Sequence, residues 1–141
     1  EEGTFEAVIV GSTGGTATGQ SGPGSGASYV KIGKWVFVQF YLANPTITGT
    51  ISGDLRFNLP FTVANSSRFD NGSSGQFSTT REISSGSTSY LIVLQGSGGN
   101  AFATLRRVYL GSRTESDTLT QAVASINGST LLWGSFSFIA A

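Results

Sequence analysis

Histidine, cysteine and methionine are all absent from this 141-residue chain. Without them there is no imidazole general base, no thiolate nucleophile and no ordinary zinc ligand set. Disulfides are excluded as well, so the fold has to hold without covalent cross-links. The missing methionine implies a processed product or a piece of something longer. Charge is also scarce, at 11% of residues against about 25% in an average soluble domain. Eight Lys and Arg balance eight Asp and Glu, and no basic stripe runs along the chain. Neither nucleic acid nor an anionic membrane surface is therefore an expected partner. The longest apolar run, Tyr90–Leu94, is far short of the ~18–20 residues of a membrane helix, so no membrane insertion is expected.

What the chain does have is glycine, serine and threonine, which together supply 57 of its 141 residues, and ten phenylalanines. The apolar residues come in short dense bursts separated by Gly, Ser, Thr and Asn. That is how a β-protein rich in turns is written. The length fits one domain spanning 1–141. The expected fold class is all-β, an antiparallel β-sandwich or jelly-roll-like arrangement of about 8–10 short strands without substantial helix.

Phe5–Val10 reads as a first strand. Residues 11–26 follow without one large apolar side chain; with so little to bury, they read as a flexible glycine-rich loop or arm. Tyr29–Ile32 and Trp35–Leu42 read as strands meeting at a Gly33-Lys34 turn. In the second, Trp35, Phe37 and Tyr41 alternate with Val36, Val38, Phe40 and Leu42, so both faces are apolar. Asn44-Pro45 breaks the chain, and Thr46–Ile51 with Asp54–Asn58 resembles a hairpin around Ser52-Gly53. Gln76–Ile83, Ser89–Leu94 and Ala101–Leu105 read as further strands. Arg106–Leu110 and Thr118–Ile126 fit neither period clearly. Asn127-Gly128 is a strong turn signal. Thr130–Ala140 closes as a strand bent near Gly134, with Leu132, Phe136 and Phe138 on one face and Trp133 and Ile139 on the other.

Motifs for chemistry are weak. Ala7–Gly19 places an apolar strand before clustered glycines, but a dinucleotide site needs a helix next, and Gln20-Ser21-Gly22-Pro23-Gly24 cannot form one. Glu6, Asp54, Asp70, Glu82, Glu115 and Asp117 are the carboxylates available for glycosidase chemistry. Nothing in their spacing sets two across a cleft, and no acidic loop is dense enough for calcium. No catalytic residue, cofactor or metal is expected. Three Asn-X-Ser sequons, at Asn65, Asn71 and Asn127, read as turn chemistry in so Ser-rich a chain. Tyr29, Phe69, Tyr90, Tyr109 and Trp133 are aromatics near turns that could stack on sugar rings, or else fill core and subunit interface. Two-faced apolar strands supply more apolar surface than one small sandwich needs, so a homo-oligomer is expected, with Trp35, Phe37, Trp133 and Ile139 as its interface.

The stretch Tyr29-Val30-Lys31-Ile32-Gly33-Lys34-Trp35-Val36-Phe37-Val38, followed by Gly53-Asp54-Leu55 and Leu59-Pro60-Phe61, resembles a pattern of bacteriophage virion proteins. Gly3-Thr4-Phe5 before a glycine-rich loop and a closing strand ending in small residues are similar too. The resemblance covers about residues 3–64. It implies a non-enzymatic, homotrimeric β-sandwich of the virion, acting as a tail-fibre or tailspike tip that binds a host surface glycan or protein. The same sandwich as a capsid decoration protein, held on the major capsid protein, is the alternative. A secreted carbohydrate-binding module is a further reading from another class. The resemblance carries no binding residues over. In such domains recognition falls to exposed loops, which makes Arg68, Phe69, Asp70, Asn71, Tyr109 and Arg113 the expected ligand contacts.

Overall fold

The computed structural model describes residues 1–19, 26–65, 74–81, 90–96, 98–109, 117–118 and 126–141, and among them there is no helix. The strands are β1 (Glu2–Phe5), β2 (Val8–Gly11), β3 (Gly14–Thr18), β4 (Gly26–Ile32), β5 (Trp35–Ala43) and β6 (Thr46–Ser52). After them come β7 (Leu55–Asn58), β8 (Ser74–Arg81), β9 (Tyr90–Gly96), β10 (Phe102–Tyr109), β11 (Asp117–Thr118) and β12 (Leu131–Ile139). Two antiparallel sheets pack together as a β-sandwich, in agreement with the expected fold class. One has the order β1-β4-β5-β12 and the other β9-β10-β7-β2-β3-β6. β8 links them, pairing with β12 on one side and with β9 through Ser74–Gln76 on the other. β11 adds a short pairing to β10.

The core follows from strand alternation. Every second residue of β5 faces inward, so Val36, Val38, Phe40 and Leu42 are buried while Trp35, Phe37, Gln39 and Tyr41 are exposed. β12 repeats the pattern with Leu132, Phe136 and Phe138 inside. Ile9, Ala17, Leu55, Phe57, Ala103 and Leu105 face them from the other sheet. Phe40 and Phe57 meet with ring centroids 4.5 Å apart, within the range where aromatic pairs add to simple area burial. Phe5 packs edge-on against Phe57 at 6.3 Å. Tyr29 and Phe61 close the rim at 5.0 Å, also edge to face.

The chain ends of the strands are fixed by local chemistry. The β4–β5 hairpin turns at Gly33, whose φ of 59° lies in the left-handed region. Asn44, at φ 44°, turns the chain before Pro45 while its amide donates to the Thr130 carbonyl at 3.0 Å. Thr130 is fully buried, and its hydroxyl accepts the Asn127 amide at 3.0 Å. The Asn127 side chain in turn accepts from the Ser129 amide at 2.8 Å, which makes the Asn127-Gly128 turn as the sequence suggests. The bend foreseen near Gly134 is a register shift between Trp133 and Gly134 in the β12–β8 pairing.

Three sequence expectations differ from the structure. Phe5–Val10 is not one strand: β1 pairs with β4 and β2 with β3 and β7, so the chain crosses between sheets at Glu6-Ala7. β6 and β7 do not pair with each other; β6 pairs with β3, and β7 with β2 and β10. Within the segment expected as a loop, residues 14–18 form β3, an internal strand between β2 and β6. Its small side chains are the reason it fits. Ala17 is completely buried, and Gly15, at φ 72°, sits so close to β6 that a Cβ there would overlap the Thr50 carbonyl and the Ile51 amide. Residues 20–25 of that segment lie outside the described residues.

Gly15 and Gly33 therefore separate backbone conformation from close approach. Gly33→Ala meets nothing and should lose about 1–2 kcal/mol, the cost of a left-handed alanine. Gly15→Ala adds a backbone overlap to the same conformational cost and should lose clearly more, with the β3 amides the first to exchange. Urea unfolding and amide exchange of the two variants would check this. Equal losses would show that β3 yields to accommodate a methyl group.

Candidate functional site

Among the described residues, the outer face of β1, β4, β5 and β12 carries the exposed large apolar side chains apart from Ile47 on β6. Antiparallel register sets them in rows across the strands. Ile32, Trp35 and Ile139 are direct cross-strand partners, and exposed Glu2 joins Val30, Phe37 and Ser137 in the next row. Ile32 is 67% exposed, Trp35 53% and Phe37 49%. The Trp35 and Phe37 rings lie nearly parallel, 18° apart, with centroids 6.4 Å apart. An aromatic side chain can bury ~150–250 Å², so Trp35 and Phe37 alone leave roughly 200 Å² uncovered. With Ile32 and Val30 the patch falls among the ~300–600 Å² patches that are often functional on a monomer.

Further along the same face the chemistry changes. Thr4, Ser28, Gln39 and Ser135 are register partners on successive strands and all are exposed, which makes an uncharged polar row. Beyond it come Gly26, Tyr41 and Trp133, also partners. The Tyr41 and Trp133 rings are 6.2 Å apart and inclined at 51°. Thr4, Ser28, Gln39 and Tyr41, together with Phe5, Gly26, Ala27 and Phe40, line an open depression of about 610 Å³.

Charges gather at the edge of this sheet. Lys31 stands 4.5 Å from the Phe61 ring centroid and 3.9 Å from a Glu1 carboxylate oxygen. The Tyr29 hydroxyl donates to Glu1 Oε1 at 3.1 Å. Desolvation, and then the neighbouring Glu1 carboxylate, push the Tyr29 phenol above its ordinary pKa. On the other sheet Arg56 lies over the Phe102 ring at 4.4 Å and Arg106 donates to Gln95 Oε1 at 2.8 Å. Among the described residues no three His, Cys, Asp or Glu side chains group to hold a metal ion. No helix among them is long and apolar enough to cross a membrane.

The structure places Trp35, Phe37, Trp133 and Ile139 on this one face, the first two exposed and the other two half-buried. Arg68, Phe69, Asp70, Asn71 and Arg113 lie outside the described residues. Tyr109 is the last residue of β10. Of the six carboxylates weighed for catalysis, Asp70, Glu82 and Glu115 lie outside the described residues, and Asp117 begins β11. Asp54 has a structural task, since its amide donates to Ser12 Oγ and its carbonyl accepts the Ser12 amide, both at 2.9 Å. Sequence reasoning missed Ile32 and Val30 as surface residues, although their alternation with Lys31 placed them on the Trp35–Phe37 side of the hairpin. It also missed the polar row, which shows only once β1 is known to pair with β4.

The division of the face from the core can be measured. Phe136→Ala should lose about 3–5 kcal/mol, as for truncating a fully buried phenylalanine. Ile32→Thr should stay within about 0.5 kcal/mol in the monomer, because the methyl groups it removes already contact water. Denaturant midpoints at high dilution would test both, and a large loss from Ile32→Thr would place that residue in the packing of the fold.

Proposed function

We propose that this chain, which no protein-family model, curated protein or solved structure matches, is a non-enzymatic structural protein of a bacteriophage virion, a homotrimeric β-sandwich that serves as the receptor-binding tip of a tail fibre or tailspike. The observation that carries this reading is the apolar patch of Val30, Ile32, Trp35, Phe37 and Ile139 on an otherwise regular sheet face. Contiguous exposed apolar surface of this kind marks association, and aromatic residues are enriched at the centres of interfaces. Formal net charge is zero, so copies meet with little repulsion. The motif Tyr29–Val38 with Leu59-Pro60-Phe61, similar to virion sandwiches, supplies the trimeric state and the setting. In this reading the patch is the contact between copies, and the loops and the rest of the surface face the host.

Light scattering from high to sub-micromolar concentration tests it. The expected result is a particle of three 14.6 kDa chains that persists on dilution. Trp35→Asp should convert it to a monomer with unchanged far-ultraviolet circular dichroism. A wild-type monomer throughout would overturn the self-sufficient tip and favour a decoration protein that assembles only on a capsid lattice.

A further inference from the structure

The polar end of the same face differs in kind from the apolar patch, and we propose that it is a binding site for a neutral saccharide. The inference rests on reading the molecule as a recognition domain, and it moves recognition from the loops to the sheet. Three observations carry it. The depression beside Gly26 holds about 610 Å³, within the ~300–1,000 Å³ of small-ligand sites. Among the described residues its lining holds no charged side chain: beside the apolar Phe5, Ala27, Phe40 and Tyr41 it has the Thr4 and Ser28 hydroxyl groups and the Gln39 amide. Each of these groups both donates and accepts, which suits the donor and acceptor character of sugar hydroxyls. Tyr41 belongs to the lining, and the Trp133 ring lies 6.2 Å from its own. An aromatic ring offers its negative face to the weakly positive C–H face of a pyranose, by the same quadrupole that attracts cations.

A second copy of the chain is the poorer occupant here. An interface core is depleted of polar groups, and every buried hydroxyl or amide would need a partner. The recess would leave packing voids that a flat sheet face could not fill. A charged ligand finds no partner of opposite charge among the described lining residues. Gly26 lines the depression, and a Cβ built there meets nothing within 4 Å. Gly26 is not among the positive-φ glycines, so larger residues are accommodated without backbone strain.

That provides a test in which the fold is spared. The intact protein is applied to an array of neutral glycans, with sialylated and sulfated glycans as the contrast, and hits are titrated by tyrosine and tryptophan fluorescence. Binding to neutral glycans is expected. Gly26→Leu, which fills the depression, and Gln39→Ala should each weaken it at least about tenfold while leaving the denaturant midpoint unchanged. Trp35→Asp, in the apolar patch, should leave glycan binding intact even where it abolishes the trimer. Absence of neutral-glycan binding, binding of acidic glycans alone, or full binding by Gly26→Leu would each overturn the proposal. Native mass, read on the same samples, reports separately on the trimer, so either reading can fail without the other.

Discussion

A strand can bury only every second side chain against one sheet, and β5 carries large residues at nearly every position. This constraint organises the molecule. Val36, Val38, Phe40 and Leu42 fill the sandwich, and the same pleat forces Trp35, Phe37 and Tyr41 outward. A register slip of one residue would exchange the two sets. The hairpin at Gly33 and the nine-residue pairing with β12 hold the register, while Phe40 against Phe57 locks it to the opposite sheet. The core and the exposed aromatic face are thus two consequences of one periodicity.

That periodicity is also why much of the fold is legible in the sequence. β4, β5 and β12 announce themselves through alternation, their turns through Gly33-Lys34 and Asn127-Gly128, and the burial of β12 residues follows the pattern residue by residue. β3 is illegible for the opposite reason. Gly14–Thr18 has no large apolar side chain, and a search for apolar alternation passes over it. Its place in the sheet comes from steric economy: the neighbouring backbone approaches where Gly15 leaves room, and Ala17 suffices to seal the core. Smallness, which reads as looseness along the chain, is here a condition for tight packing.

Pairing partners were harder to foresee than strands. Proximity in sequence suggested that β6 and β7 form a hairpin, yet β7 sits between β10 and β2 while β6 lies beyond β3. Backbone bonds explain the detour. Ser12 and Thr13 accept and return the hydrogen bonds that Ser52 and Asp54 would otherwise exchange locally, with the Thr13 and Ser52 hydroxyls 2.8 Å apart. The Gly-rich turn between β2 and β3 therefore wedges into the connection from β6 to β7. Such long-range satisfaction of polar groups leaves no periodic trace in the sequence.

The surface has its own logic. With 11% charged residues the chain meets water mainly through hydroxyls, amides and exposed backbone, and its sheet face is divided accordingly. Ile32, Trp35, Phe37 and Ile139 gather at the hairpin end, whereas Thr4, Ser28, Gln39 and Ser135 cross the middle as a row. A random scatter of such residues would need no explanation. Segregation along the strand direction does, because each row joins the β4–β5 hairpin to β12, and in the polar row also to β1, across long stretches of sequence. Apolar surface is best relieved by another protein surface of the same kind, and uncharged hydroxyl-rich surface by a ligand equally rich in hydroxyls. One sheet thereby presents two adjoining regions of different chemistry, one apolar and one uncharged and polar.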